Sequence, residues 1–197
     1  MSNRLLKNTA FLSKAKEFYE SNKEAVLDII LFGSVVKGKE KPADIDIMVV
    51  YKAQIDLDLS HELKKKLSFV GEIEITSRTY AQLFEPSFLA REVFLSEGYS
   101  LISRKFLHEG LGYSSFVLYK YDLKGLSKTK RMQFYYSLYG RTSKGMLEEL
   151  KSFKFSENLI LTPMTESEKM KEYLQKWLQF IEIPMLMPLR LVEIVKK

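Results

Sequence analysis

The strongest constraint on this chain is a spacing. An apolar, β-branched run from Val26 to Phe32 ends at Gly33-Ser34, and after nine intervening residues Asp44-Ile45-Asp46-Ile47 opens a second apolar run through Val50. Both runs have the composition of buried strands. Side chains along a strand alternate between its faces, so Asp44 and Asp46 emerge together while Ile45 and Ile47 turn into the core. Two carboxylates a few ångströms apart repel unless a cation lies between them, and hard oxygen ligands with open positions suit Mg²⁺ bridging substrate phosphates.

The Gly-Ser pair fits the same chemistry. Gly33 lets the backbone approach a phosphate with no Cβ in the way, while Ser34 offers an N–H, a hydroxyl and a helix N-cap. One helical turn on, Lys37 would return to the same place with a positive charge, and Gly38 would close that short helix. Taken singly, Gly-Ser is most often a turn and Asp-x-Asp a solvated strand edge; their joint spacing carries the inference.

Leu31-Phe-Gly-Ser34, nine residues, then Asp44-Ile-Asp-Ile47 resembles the signature of the nucleotidyltransferase superfamily typified by DNA polymerase beta, and of its minimal branch in particular, over residues 10 to 104. The resemblance implies an α/β (α+β) fold, a mixed sheet flanked by helices, with an NTP substrate and Mg²⁺ as cofactor, as two ions. It assigns Asp44 and Asp46 to the metals, Gly33 and Ser34 to the triphosphate, and Lys37 to its neutralisation. It also implies a third carboxylate from a later strand, here Phe69-Val-Gly-Glu-Ile-Glu-Ile-Thr76. Glu74, followed by Ile75-Thr76-Ser77, matches better than Glu72, and would bind the second metal or activate the acceptor hydroxyl. Lys37 stands where many members have arginine, Ala43 where they have serine, and glutamate replaces the usual third aspartate. Phe88 to Ile102 resembles the helix, turn and closing strand that end such a domain, with Gly98 as the helix stop.

Composition is that of a soluble, cytoplasmic protein. The chain is 46% hydrophobic, has no cysteine, carries no apolar run of membrane-spanning length and opens with no hydrophobic signal region. Disulfides, zinc thiolates and a membrane are therefore not expected, and His61 and His108 stand too far apart to suggest a ligand pair.

The net charge of +6 has a location. Residues 1–104, the expected catalytic domain, are balanced. The excess lies in the expected second domain, 105–197, where Lys120, Lys124, Lys128, Lys130, Arg131, Arg141 and Lys144 face the single acid Asp122 between residues 120 and 144. A strand over Ser115–Tyr121 leads through Gly125 into a helix from about Ser127 to Gly140. Its projection puts Met132, Phe134, Tyr135, Tyr136, Leu138 and Tyr139 on a broad apolar arc. Basic residues bordering aromatic ones suit single-stranded nucleic acid, whereas a core-packed helix with a solvated basic end needs no ligand at all. A short helix at Gly145–Ser152, a strand at Asn158–Thr162 and a helix from Thr165 to Phe180, capped by Thr165 and Glu168, complete a small α/β module; Trp177 should pack in that helix. Residues 181–197 read as an extended arm, with room for a last strand, that either packs home or meets a partner subunit, as in a homodimer.

The expected activity is Mg²⁺-dependent transfer of a nucleoside monophosphate from NTP to an acceptor hydroxyl. An RNA acceptor such as tRNA would be held by Lys128, Lys130, Arg131, Arg141 and Lys144. Two alternatives stay open: AMPylation of a protein hydroxyl, as in minimal nucleotidyltransferases that pair with toxins, and an inactive nucleotide or RNA binder.

Overall fold

Asn8 starts the first helix. Its Oδ1 accepts a hydrogen bond from the Phe11 N–H at 3.1 Å, and α1 (Thr9–Asn22) buries Phe11, Leu12, Ala15 and Phe18 on one face. There follow β1 (Val26–Phe32), a single 3₁₀ turn at Gly33–Val35, β2 (Ile45–Tyr51), α2 (Leu57–Leu67) and β3 (Ile73–Thr79). The computed structural model describes residues 5–39 and 41–195.

The strands form a mixed sheet in the order β3-β2-β1-β4, where β4 is Tyr99–Ser100. Hairpin-like β1 and β2 run antiparallel; β2 and β3 run parallel, and α2 supplies the crossover that parallel pairing requires. Every residue of β2 except Asp46 is buried, as in a strand covered on both faces. Ile30, Met48 and Val50 pack against Leu83, from a 3₁₀ turn at Ala81–Phe84, and Phe94 of α3 (Arg91–Glu97). Alternation places Asp46 on the same face as Met48 and Val50. Gly98 stops α3 as expected, its N–H donating to the Phe94 carbonyl at 3.0 Å. The chain then turns through α4 (Leu107–Gly110), and this first compact unit spans Met1–Leu111.

The second unit spans Gly112–Lys197. It contains β5 (Tyr113–Tyr121), α5 (Lys128–Tyr139), α6 (Met146–Glu149), β6 (Phe153–Ser156), β7 (Leu159–Pro163), α7 (Ser167–Gln175), β8 (Phe180–Pro188) and α8 (Leu189–Val195). All neighbours in its sheet, β6-β7-β5-β8, are antiparallel. Val117, Tyr119 and Tyr121 face a core built with Phe134, Leu138, Met170 and Leu174. Phe116, Leu161 and Met187 face the other way, against Val192 of α8. Each large apolar side chain buried in full contributes roughly 1.5–3 kcal/mol.

Sequence reasoning placed some boundaries here wrongly. Thr165 does not cap a helix; it lies in a 3₁₀ turn, and α7 begins at Ser167 with Glu166 at its N-cap and no side-chain cap bond. That helix ends at Gln175 rather than Phe180, because Phe180 belongs to β8 and packs its ring 5.5 Å from that of Tyr119. Within the expected arm, residues 181–188 do form a last strand, in register with β5. Trp177 does pack, 5.8 Å from Phe134.

Candidate active site

The site is built by register. In the β1–β2 ladder Phe32 lies opposite Asp46, and across the parallel pair Asp46 lies opposite Glu74. One carboxylate oxygen from each of Asp44, Asp46 and Glu74 falls within 4.8 Å of the others. Glu72, two residues earlier, is not in this cluster; its carboxylate is 3.7 Å from Lys64 and 71% exposed.

Gly33 closes the cluster from the other side. Its φ of +77° is a conformation that L side chains rarely adopt, and a Cβ there would collide with Asp46 Oδ2. Only glycine lets that carboxylate lie against the turn. The Gly33–Val35 turn begins with Phe32 at its N-cap and has no side-chain cap bond, so Ser34 does not serve as the cap that its sequence position suggested. The turn is tied off by the Lys39 N–H, which donates to the Ser34 carbonyl at 3.1 Å.

Asp46 carries the electrostatic imprint of this crowding. Burial raises its pKa above 3.8, and the charges of Asp44 and Glu74 raise it further, while Lys37 pulls it down. Asp46 so placed binds a proton more readily than an isolated carboxylate, and a divalent cation would relieve the same repulsion. The donor set is all oxygen, with Asp44 and Asp46 part-buried and Glu74 exposed, and hard oxygen donors suit Mg²⁺.

Lys37 lies close enough to Asp46 for its charge to be felt there, and it has a companion that the sequence did not reveal. Its Nζ lies 3.5 Å from Oε1 of Glu97, at the C-terminal end of α3, and Glu97 is only 8% exposed. An acid in the last turn of a helix opposes the helix dipole. That misfit, just before the Gly98 stop, was the signal available.

Residues 13–105 match the family model described as Polymerase beta, Nucleotidyltransferase. The first unit is a nucleotidyltransferase domain. No curated protein sequence matches the chain. Among solved structures, a toxin–antitoxin structure with AMP-PNP aligns over 46% of this chain and 71% of its own, at 24% identity and a TM-score of 0.36. The toxin–antitoxin MntA-HepT structure aligns over 46% and 68%, at 22% identity and 0.33. A structure of tri-AMPylated Shewanella oneidensis HEPN toxin in complex with MNT antitoxin gives 46%, 68%, 22% and 0.32. No helix among the described residues is long and apolar enough to cross a membrane.

The residues expected to hold an acceptor lie in the other unit, on and just after α5. Lys128, Lys130 and Arg131 are exposed in its first turn, where Arg131 Nε donates to the Leu126 carbonyl at 3.0 Å. Arg141 lies 4.9 Å over the Tyr136 ring, and Lys144 pairs with Glu148 at 2.6 Å. The broad apolar arc expected of α5 is not a packed face. Among its residues only Phe134 and Leu138 are buried, packed in the core with Tyr121, Met170 and Tyr173.

Proposed function

We propose that this chain transfers a nucleoside monophosphate from an NTP to a hydroxyl of an RNA acceptor, with Mg²⁺ held by Asp44, Asp46 and Glu74. The observation that carries this is the convergence of the three carboxylates against a turn that tolerates no Cβ. The bond that forms joins the acceptor oxygen to the α-phosphorus; the bonds that break are the acceptor O–H, whose proton passes to solvent, and the bond from that phosphorus to the oxygen leading to the β-phosphate. Pyrophosphate leaves with that oxygen.

Bound Mg²⁺ supplies charge neutralisation for the attacking and leaving oxygens of an in-line displacement. The chain's own part is positioning. Gly33 brings the backbone close to the phosphates, Ser34 adds its N–H and hydroxyl, and Lys37 presents its ammonium to the negative charge on the leaving pyrophosphate. Glu97 holds that ammonium beside the site. Glu74 completes the cation site from the neighbouring strand. For the acceptor, the support is the run of exposed cations from Lys120 to Lys144 against the single acid Asp122, in a chain otherwise balanced.

Incubation with Mg²⁺ and each α-labelled NTP, together with total RNA or a protein lysate, tests both halves. Label should enter RNA, and EDTA should prevent it. Label in protein instead would make the acceptor a protein hydroxyl. Label in neither would leave a nucleotide or RNA binder and defeat the catalytic reading.

A further inference from the structure

Helix α5 keeps apolar surface in water that a fold would ordinarily bury. Met132, Tyr135, Tyr136 and Tyr139 are 46%, 36%, 41% and 42% exposed; Phe134 and Leu138 are the buried residues of the helix, and the Tyr139 side chain is also hydrogen-bonded to Tyr121. At 100° per residue Lys128, Arg131, Met132, Tyr135 and Tyr139 share one stripe, with Tyr136 at its border. The stripe runs about 16 Å along the helix. Along it the Tyr135 and Tyr139 rings stack at 6.0 Å between centroids, only 26° from parallel, and Arg141 covers the Tyr136 ring.

The charges are placed against local preference. Lys128, Lys130 and Arg131 occupy the end of the helix where the dipole favours acids, and its first turn contains none. A helix that exposes three tyrosines and sets cations against its own dipole departs from the rules for stability alone. Such departures gather where a surface has a partner. Membrane lipid would meet the cations but find no long apolar face. An acidic protein would meet them without needing flat aromatic rings. A polyanion whose units carry π-faces satisfies both features.

We infer that the Tyr135–Tyr139 stripe of α5 is a stacking platform for the unpaired bases of a single-stranded RNA segment, whose phosphates are held by Lys128 and Arg131. A platform of this length takes two or three nucleotides and is indifferent to sequence except through stacking strength, so purines bind better than pyrimidines. A duplex, its bases already stacked, gains from the cations alone. This surface presupposes the RNA acceptor proposed above and specifies which part of it the protein grips.

The test is equilibrium binding of the full chain, without NTP or Mg²⁺, to fluorescent 12-nucleotide oligoadenylate, oligouridylate and an RNA duplex. Tyr135→Ala with Tyr139→Ala should weaken oligoadenylate binding by about tenfold and duplex binding by less than about twofold. Tyr135→Phe with Tyr139→Phe should restore it, since the ring and not the hydroxyl stacks. Because these rings are exposed, the melting temperature serves as a check on folding. Unchanged oligoadenylate affinity, or an equal loss for duplex and single strand, overturns the platform. So does tyrosine-dependent self-association in sedimentation with no RNA binding, which would make the stripe a protein interface. Tyrosine-dependent binding without nucleotide transfer to RNA would leave the platform standing and defeat only the catalytic proposal.

Discussion

In the first unit, strand register sets where the charged side chains meet: Asp46 stands opposite Glu74 on one side and Phe32 on the other, and the Gly33 turn is pressed against its carboxylate. In the second, α5 buries Phe134 and Leu138 while its first-turn cations are exposed and its tyrosines are half-covered. A displacement of 1 Å would empty the first arrangement of meaning and leave the second nearly intact. Geometry of that precision belongs with bond-making, whereas a charged, adaptable surface belongs with grip. The difference also predicts opposite responses to mutation: the first unit's site should trade stability for function, and the second's should lose affinity by degrees.

Asp46→Asn should break the comparison hardest. Transfer should fall by at least about a hundredfold, as expected on losing a ligand of the cation. The same change should raise the melting temperature of the metal-free protein by roughly 2 °C, because the neutral amide removes repulsion from Asp44 and Glu74. The sign follows from linkage. The folded state raises this carboxyl above 3.8, so it binds the proton more tightly than the unfolded chain and is stabilised as pH falls through that window. In EDTA, the gap between the variant and the wild type should therefore narrow from pH 7 towards pH 4. Thermal melts across that range, with and without Mg²⁺, check it; a gap constant with pH would remove the electrostatic account.

Much of this site was readable in the sequence because it depends on local rules. The period of two in Asp44-Ile-Asp-Ile puts the acids together, and Gly33 ends a strand where the backbone must approach something. Choosing Glu74 over Glu72 came from resemblance and is matched by the register, which only pairing between distant strands could show. Glu97 was not legible, since its meeting with Lys37 depends on how α3 packs. On α5 the ends at Ser127 and Gly140 were legible from cap chemistry. Its exposure was not: an apolar arc on a helical projection says what could be buried, and only the sheet beneath says how much is.

Lys37→Met sharpens the contrast at intermediate size. Loss of one charge-assisted contact to phosphate should raise KM for NTP by about tenfold. Affinity for RNA alone, which the proposal assigns to the other unit, should not move. Lys37→Arg should keep most of the wild-type KM, because the charge beside Glu97 is retained. Steady-state kinetics with one NTP and a fixed acceptor read the first outcome, and anisotropy with oligoadenylate reads the second. An equal loss in both would mean that the two units do not divide the labour as argued.

The smallest effect expected is the most discriminating about the third acid. Glu72, just before β3, and Glu74, within it, stand two residues apart and are both exposed, so burial and charge do not separate them; only their partners do. Glu72 has Lys64 at 3.7 Å and is 71% exposed, so Glu72→Gln removes a surface ion pair worth at most about 1 kcal/mol and should leave Mn²⁺ affinity and transfer unchanged within twofold, as order-of-magnitude expectations. Glu74→Gln removes one of three converging oxygens and should lower Mn²⁺ affinity by about tenfold or more. Paramagnetic titration of the two variants compares them without any acceptor or nucleotide. Equal affinities would show that register brings Glu74 near the two aspartates without making it a ligand, and the cation site would then rest on Asp44 and Asp46 alone.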